Sequence, residues 1–261
     1  MLNLAPDIDA TGQTVRGWLA ANVPSLDQVL PVTTDLHGTI TSYKFEIQAA
    51  CEDDAARVVA VALVEERLGL RPADFSAWFN SMADGTDLGA REANVRSYVR
   101  TLAGTPEHPK TEIHLFGLVA EAMLRSLLTK VDRGLGLPEL VEGHDWGATE
   151  HGADALAIYR QGGQLHFRLW ESKAVTGDTV YPTTIVGEAR NQLDKDAWEY
   201  LARYVTVARR EDRHAEINTF LVEMPDLWRD GDNRAGAGIA IATHAAKPTT
   251  SCFGGLAGEF G

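Results

Sequence analysis

Three residue types with the chemistry of a hydrolytic metal site fall within residues 154–173. WESK, residues 170–173, closes the apolar run LHFRLW. In a strand successive side chains alternate faces, so Glu171 and Lys173 would share one face and Trp170 and Ser172 the other. Asp154 opens a second β-rich run, DALAIYR, and the two runs are joined by QGG at 161–163. Two such runs around a short glycine turn read as a hairpin. Counted outward from Gly162, Asp154 is eight positions back and Glu171 nine forward, so both carboxylates meet at the hairpin's open end. A hard cation such as Mg2+ or Mn2+ takes oxygen ligands and keeps several waters. Asp154 and Glu171 would supply two ligands and the Ser172 carbonyl a third. Lys173 would orient the attacking water and offset its negative charge. The cation would polarise a phosphate ester and lower the pKa of that water. Against this stands an ordinary reading, in which ExK on a strand is a solvent-exposed ion pair. The apolar strand leading into it and the aligned Asp154 favour the chemical one.

Glu121 is a fourth candidate. It lies in LVAEAML, with Leu118 and Leu124 three positions to either side, on or beside the apolar stripe of a helix. A carboxylate there needs a partner or a metal, and Arg125 at i+4 could be that partner. Arg203, Arg209, Arg210 and Arg213 could follow a phosphate backbone, or form the basic end of a long helix. His144, Asp145, His151 and His166 match no zinc spacing. There is no GxSxG elbow, and neither cysteine has a histidine near it in sequence. Gly236-Ala-Gly238 precedes a strand-like run instead of following one, which argues against a dinucleotide loop. No GxxxxGK[ST] loop is present, so a motor of that type is not expected within these residues.

The elements that must carry these residues can be placed from periodicity. Residues 41–49 alternate as a strand. Asp53 and Asp54 can cap a helix running to about Leu68, and Pro72 opens a short helix, ADFSAWFNSM. DLGAREANVRSYVRTLA reads as a third helix, and GTPEHPK at 104–110 as a break. A helix over 112–130 follows, ended by Gly134 and Gly136. Next come a short extended piece near 138–143, the hairpin, a long helix over about 184–211, and two strand-like runs, INTFLVEM (217–224) and GIAIAT (238–243). The expected fold is α/β, a mixed sheet flanked by the 112–130 and 184–211 helices. Residues 1–110 would be a mainly helical N-terminal accessory region and 111–261 the core bearing the candidate site.

Composition sets the outer limits. With 261 residues, 44% of them hydrophobic, the chain can bury a normal core. Its formal charge of −13 argues against coating nucleic acid through bulk charge. The acidity is spread evenly: residues 1–110 carry 9 Lys/Arg against 15 Asp/Glu, and 111–261 carry 15 against 22. No apolar run is long enough for a membrane helix, and MLNLAPDIDATGQ does not read as a secretory signal. Cys51 and Cys252 form no CxxC pair, which fits a reducing cytoplasm.

Together, Glu121 on the leading helix, Asp154 in GAD, and Glu171-Ser172-Lys173 as ExK resemble the PD-(D/E)xK nuclease superfamily over about residues 112–245. The resemblance implies a restriction-endonuclease-like fold and Mg2+- or Mn2+-dependent hydrolysis of DNA. It also implies a role for Gln192, because some branches place a functional glutamine on the helix after the ExK strand, with a tyrosine beyond it. Tyr200 matches that tyrosine only loosely. Ala153 stands where the motif has proline. Within the superfamily, GADALAIYR…LHFRLWESKA followed by GEARNQL resembles the nuclease subunit of Hachiman-type anti-phage systems, which works with a separate helicase. That implies a defence effector restrained by a helicase partner, docked through the first 110 residues, where Trp78 and Phe79 look exposed. The alternative is a non-catalytic DNA-binding or regulatory subunit that keeps the fold. The intact Asp154, Glu171 and Lys173 argue for the enzyme.

Overall fold

A computed structural model describes residues 24, 26–37, 40–47, 49–68, 74, 76–78, 80–81, 85–103, 111–130, 135–143, 153–175, 182–208, 215–243 and 253. The chain divides into two compact units. One comprises Met1–Thr33 and Phe45–Ser126, the other Thr34–Lys44 and Leu127–Gly261. The expected break at 104–110 lies outside the described residues.

In the first unit a short helix α1 (Leu26–Val29) packs on α2 (Glu52–Leu68), burying Val29, Ala55, Val58 and Ala62. Glu52, Asp53 and Asp54 all sit within the first turn of α2, so Asp53 and Asp54 act on the helix dipole from inside it. Helix α3 spans Glu92–Ala103 and buries Val95. Asp74 is buried and held by Arg91 at 3.0 Å. Helix α4 (Glu112–Lys130) carries the chain out of this unit at Ser126. Strands β1 (Val32–His37) and β2 (Ile40–Phe45) form a separate two-stranded sheet, most of which (Thr34–Lys44) belongs to the second unit.

The second unit is a mixed α/β arrangement. Strands β3 (Leu140–Gly143), β4 (Ala155–Gln161), β5 (Gln164–Val175) and β6 (Ala237–Thr243) lie side by side in that order. β4 runs antiparallel to both β3 and β5, and β6 runs parallel to β5. The β4–β5 turn is the two residues Gly162 and Gly163, at φ +56° and +83°. Both central positions of such a turn need positive φ, which glycine adopts without a Cβ clash. This fixes the register: Gln161 pairs with Gln164 and Ala155 with Trp170.

One face of this sheet is covered by α5 (Pro182–Ala208) and α6 (Ala215–Arg229). Leu165, Phe167 and Leu169 of β5 and Leu156 and Ile158 of β4 point to it. They meet Leu193, Ala197, Leu201 and Tyr204 of α5, and Phe220, Leu221 and Met224 of α6. Phe167 stands edge-on to Phe220, ring centroids 6.1 Å apart. Removing a fully buried side chain of this size costs about 3–5 kcal/mol.

INTFLVEM is a correction. These residues are not a strand; they lie inside α6. The reason is period. Ile217, Phe220, Leu221, Met224 and Leu227 are buried, which is helical spacing. Within those eight residues the β-branched content conceals that spacing, as does Pro225 immediately after them, and the tertiary contact with β5 outweighs local preference. The return to the sheet is therefore made by β6 after two successive helices.

Candidate active site

Strand β5 is longer than its hairpin partner. β4 begins opposite Trp170, while β5 continues to Val175 alongside β6. The candidate site lies on this overhang. Asp154 occupies the bend before β4. Its N–H donates to the Trp170 carbonyl at 2.8 Å, and its carboxylate accepts from the Ser172 N–H at 2.5 Å. The side chain thus takes the place of the next rung of the ladder. Continued by one step, the register sets Asp154 opposite Glu171. Glu171 shares a face with Phe167 and Leu169, the face turned toward α5.

Glu171 is 1% exposed. A carboxylate at that depth is costly unless it meets compensating charge. Lys173, two residues on and on the same face, supplies it: Nζ lies 2.6 Å from Glu171 Oε1. The same ammonium donates to Gln192 Oε1 from α5, also at 2.6 Å. Gln192 Nε2 donates in turn to the Tyr200 hydroxyl at 3.2 Å, which fixes which end of the amide faces the lysine. Burial, with the charges of Glu171, Asp196 and Asp154, pushes the Tyr200 phenol up to about 12 against the opposing hydrogen bond from Gln192. Tyr200 is therefore a neutral hydroxyl near neutral pH. Further along α5, the Tyr204 hydroxyl donates to the Ala153 carbonyl at 3.3 Å.

Five of the six predicted site residues are brought together within the second unit: Asp154, Glu171, Ser172, Lys173 and Gln192. In a strand the N–H and C=O of one residue point to the same side. The Ser172 carbonyl therefore faces the Asp154 side of β5, as its N–H does. Glu121 belongs to the first unit, on α4, half-buried between Ala120 and Ala122, with Arg125 Nη2 4.0 Å away. That is the i+4 pairing. Arg203 is paired with Glu199 at 2.5 Å, the ordinary helix-surface arrangement. Arg209, Arg210, Arg213, His144, Asp145, His151 and Phe79 lie outside the described residues. Trp78 is half-buried and engaged with other residues, not exposed as its surroundings in sequence suggest.

Formal charges of Asp154, Glu171 and Lys173 sum to −1, a field that attracts a dication. Among the described residues no group of three or more His, Cys, Asp and Glu side chains comes together. The donors are two carboxylates, those of Asp154 and Glu171, and a carbonyl. That set fits Mg2+ or Mn2+, which bind through one or two carboxylates and retain water. Tyr204 carries no signal in the sequence beyond its spacing of four from Tyr200. Gly236 and Gly238 leave room for side chains of β5. A Cβ on Gly236 would come within 2.7 Å of the Arg168 side chain, and one on Gly238 would enter the Trp170 indole.

No family model matches the chain, and no curated protein matches it. Among the described residues no helix is long and apolar enough to cross a membrane.

Proposed function

We propose that this chain is a divalent-metal-dependent nuclease that hydrolyses DNA phosphodiester bonds at Asp154, Glu171 and Lys173, within a restriction-endonuclease-like core. The observation that carries the reading is the fixing of Lys173 between Glu171 and Gln192, with the Asp154 carboxylate bound to the N–H of Ser172, the residue between Glu171 and Lys173. An ordinary surface ion pair needs neither a buried carboxylate nor a second acceptor from another element. The strand order and the parallel β6 support the same core.

Asp154, Glu171 and the Ser172 carbonyl would hold the cation, which when bound polarises the scissile phosphate and acidifies the attacking water. Lys173 has three N–H donors. Glu171 and Gln192 take two, leaving a third to face the water and offset its charge as it attacks. Gln192 keeps the ammonium aimed, and Tyr200 keeps Gln192 from turning.

Purified protein offered linear, circular and single-stranded DNA, and RNA, tests this. Cleavage of DNA with Mg2+ or Mn2+, abolished by EDTA, is expected. No cleavage of any substrate with either ion would refute it.

A further inference from the structure

We infer that Tyr204 is a positioning residue for Asp154, acting through the Ala153 carbonyl. This rests on the proposed metal site and extends it to a residue that touches neither metal nor substrate. Asp154 stands at a bend outside the regular ladder, which begins with Ala155 and Trp170. A side chain at such a place needs something other than sheet pairing to fix it. The peptide group joining Ala153 to Asp154 is one planar unit. Its N–H end donates to the Trp170 carbonyl at 2.8 Å, and its C=O end accepts from the Tyr204 hydroxyl at 3.3 Å. The plane is thus held from both ends, by β5 on one side and α5 on the other. With the plane fixed, the Ser172 N–H bears on the direction of the Asp154 carboxylate.

The partners are well placed to transmit this. Tyr204 is 9% exposed and Ala153 1%, so water competes poorly for either group. Both belong to the apolar cluster built on Phe167 and Leu201, which restrains the ring of Tyr204. The same helix holds the other half of the site, because Gln192 and Tyr200 precede Tyr204 on one side of α5 and fix Lys173. α5 therefore braces the lysine and the aspartate at once. Groups that orient a metal ligand from behind affect metal affinity without contacting the ion.

Tyr204→Phe removes the hydroxyl and keeps the ring. The full chain would be titrated with Mn2+ by calorimetry, alongside thermal unfolding in EDTA and cleavage against Mg2+ concentration. We expect Mn2+ affinity to fall about fivefold, the worth of one net hydrogen bond. The Mg2+ needed for half-maximal cleavage should rise by the same factor. A merely structural tyrosine would lower the melting temperature in EDTA and leave Mn2+ affinity unchanged, and that result would overturn the inference while leaving the metal site in place. Failure of the wild type to bind Mn2+ would remove the site, and the inference with it.

Discussion

Lys173→Met separates the charge of the site from its packing. Asp154, Glu171 and Lys173 together carry a formal −1, and the substitution makes it −2. It also strips Glu171, 1% exposed, of the ammonium that lies at 2.6 Å. Removing one partner of a fully buried ion pair costs about 3–5 kcal/mol. The Lys173 side chain is 27% exposed, so water can reach part of the vacated space. We therefore expect about 2–3 kcal/mol of destabilisation, or roughly 5–10 °C in melting temperature for a chain of this size. That loss should appear in EDTA. A divalent ion bound between the carboxylates replaces the missing positive charge, so added Mg2+ should stabilise the variant more than the wild type. Cleavage should still be lost, because the donor facing the water is gone. Scanning calorimetry of both proteins, in EDTA and in Mg2+, reads these effects separately. Equal melting in EDTA would mean that Glu171 does not depend on Lys173. An equal or smaller Mg2+ response in the variant would mean that the two carboxylates share no cation.

Two further outcomes follow from the packing. The Tyr200 phenol is raised from 10.0 to about 12, chiefly by burial. The folded chain then holds this proton more tightly than the unfolded one, so the stabilisation is complete below pH 10 and lost as pH rises toward 12. Urea unfolding across that window should show a shallower fall for Tyr200→Phe, and identical slopes would contradict the environment described for the hydroxyl. Gly238→Ala should cost about 1–3 kcal/mol through its clash with Trp170. That cost should shrink in a Trp170→Ala background, and equal costs in both backgrounds would show that the glycine is there for another reason.

Much of the second unit was legible from local signals. The paired glycines of QGG fix the hairpin, and alternation along LHFRLWESK puts Glu171 and Lys173 on one face. Outward counting then brings Asp154 to Glu171, because a two-residue turn leaves little freedom of register. The assignment of INTFLVEM failed where a window of eight residues holds too little of the helical period. Gln192 emerged only through resemblance, since nothing in ARNQLDKD marks its amide as bound to a lysine nineteen positions earlier. The role of Tyr204 was hidden for a similar reason: its partner is 51 residues away, and a backbone carbonyl leaves no trace in residue identity. The half-burial of Trp78 depends on long-range packing that helical spacing does not reveal.

The most direct measurement is single-turnover hydrolysis of an end-labelled DNA by the wild type, Asp154→Asn, Glu171→Gln and Lys173→Met, each shown to be folded, in Mg2+ and in EDTA. Cleavage by the wild type in Mg2+, absent in EDTA and reduced at least about a hundredfold in each variant, is the predicted result. Cleavage by any variant at the wild-type rate, or cleavage that persists in EDTA, would contradict a metal-dependent site built on these three side chains.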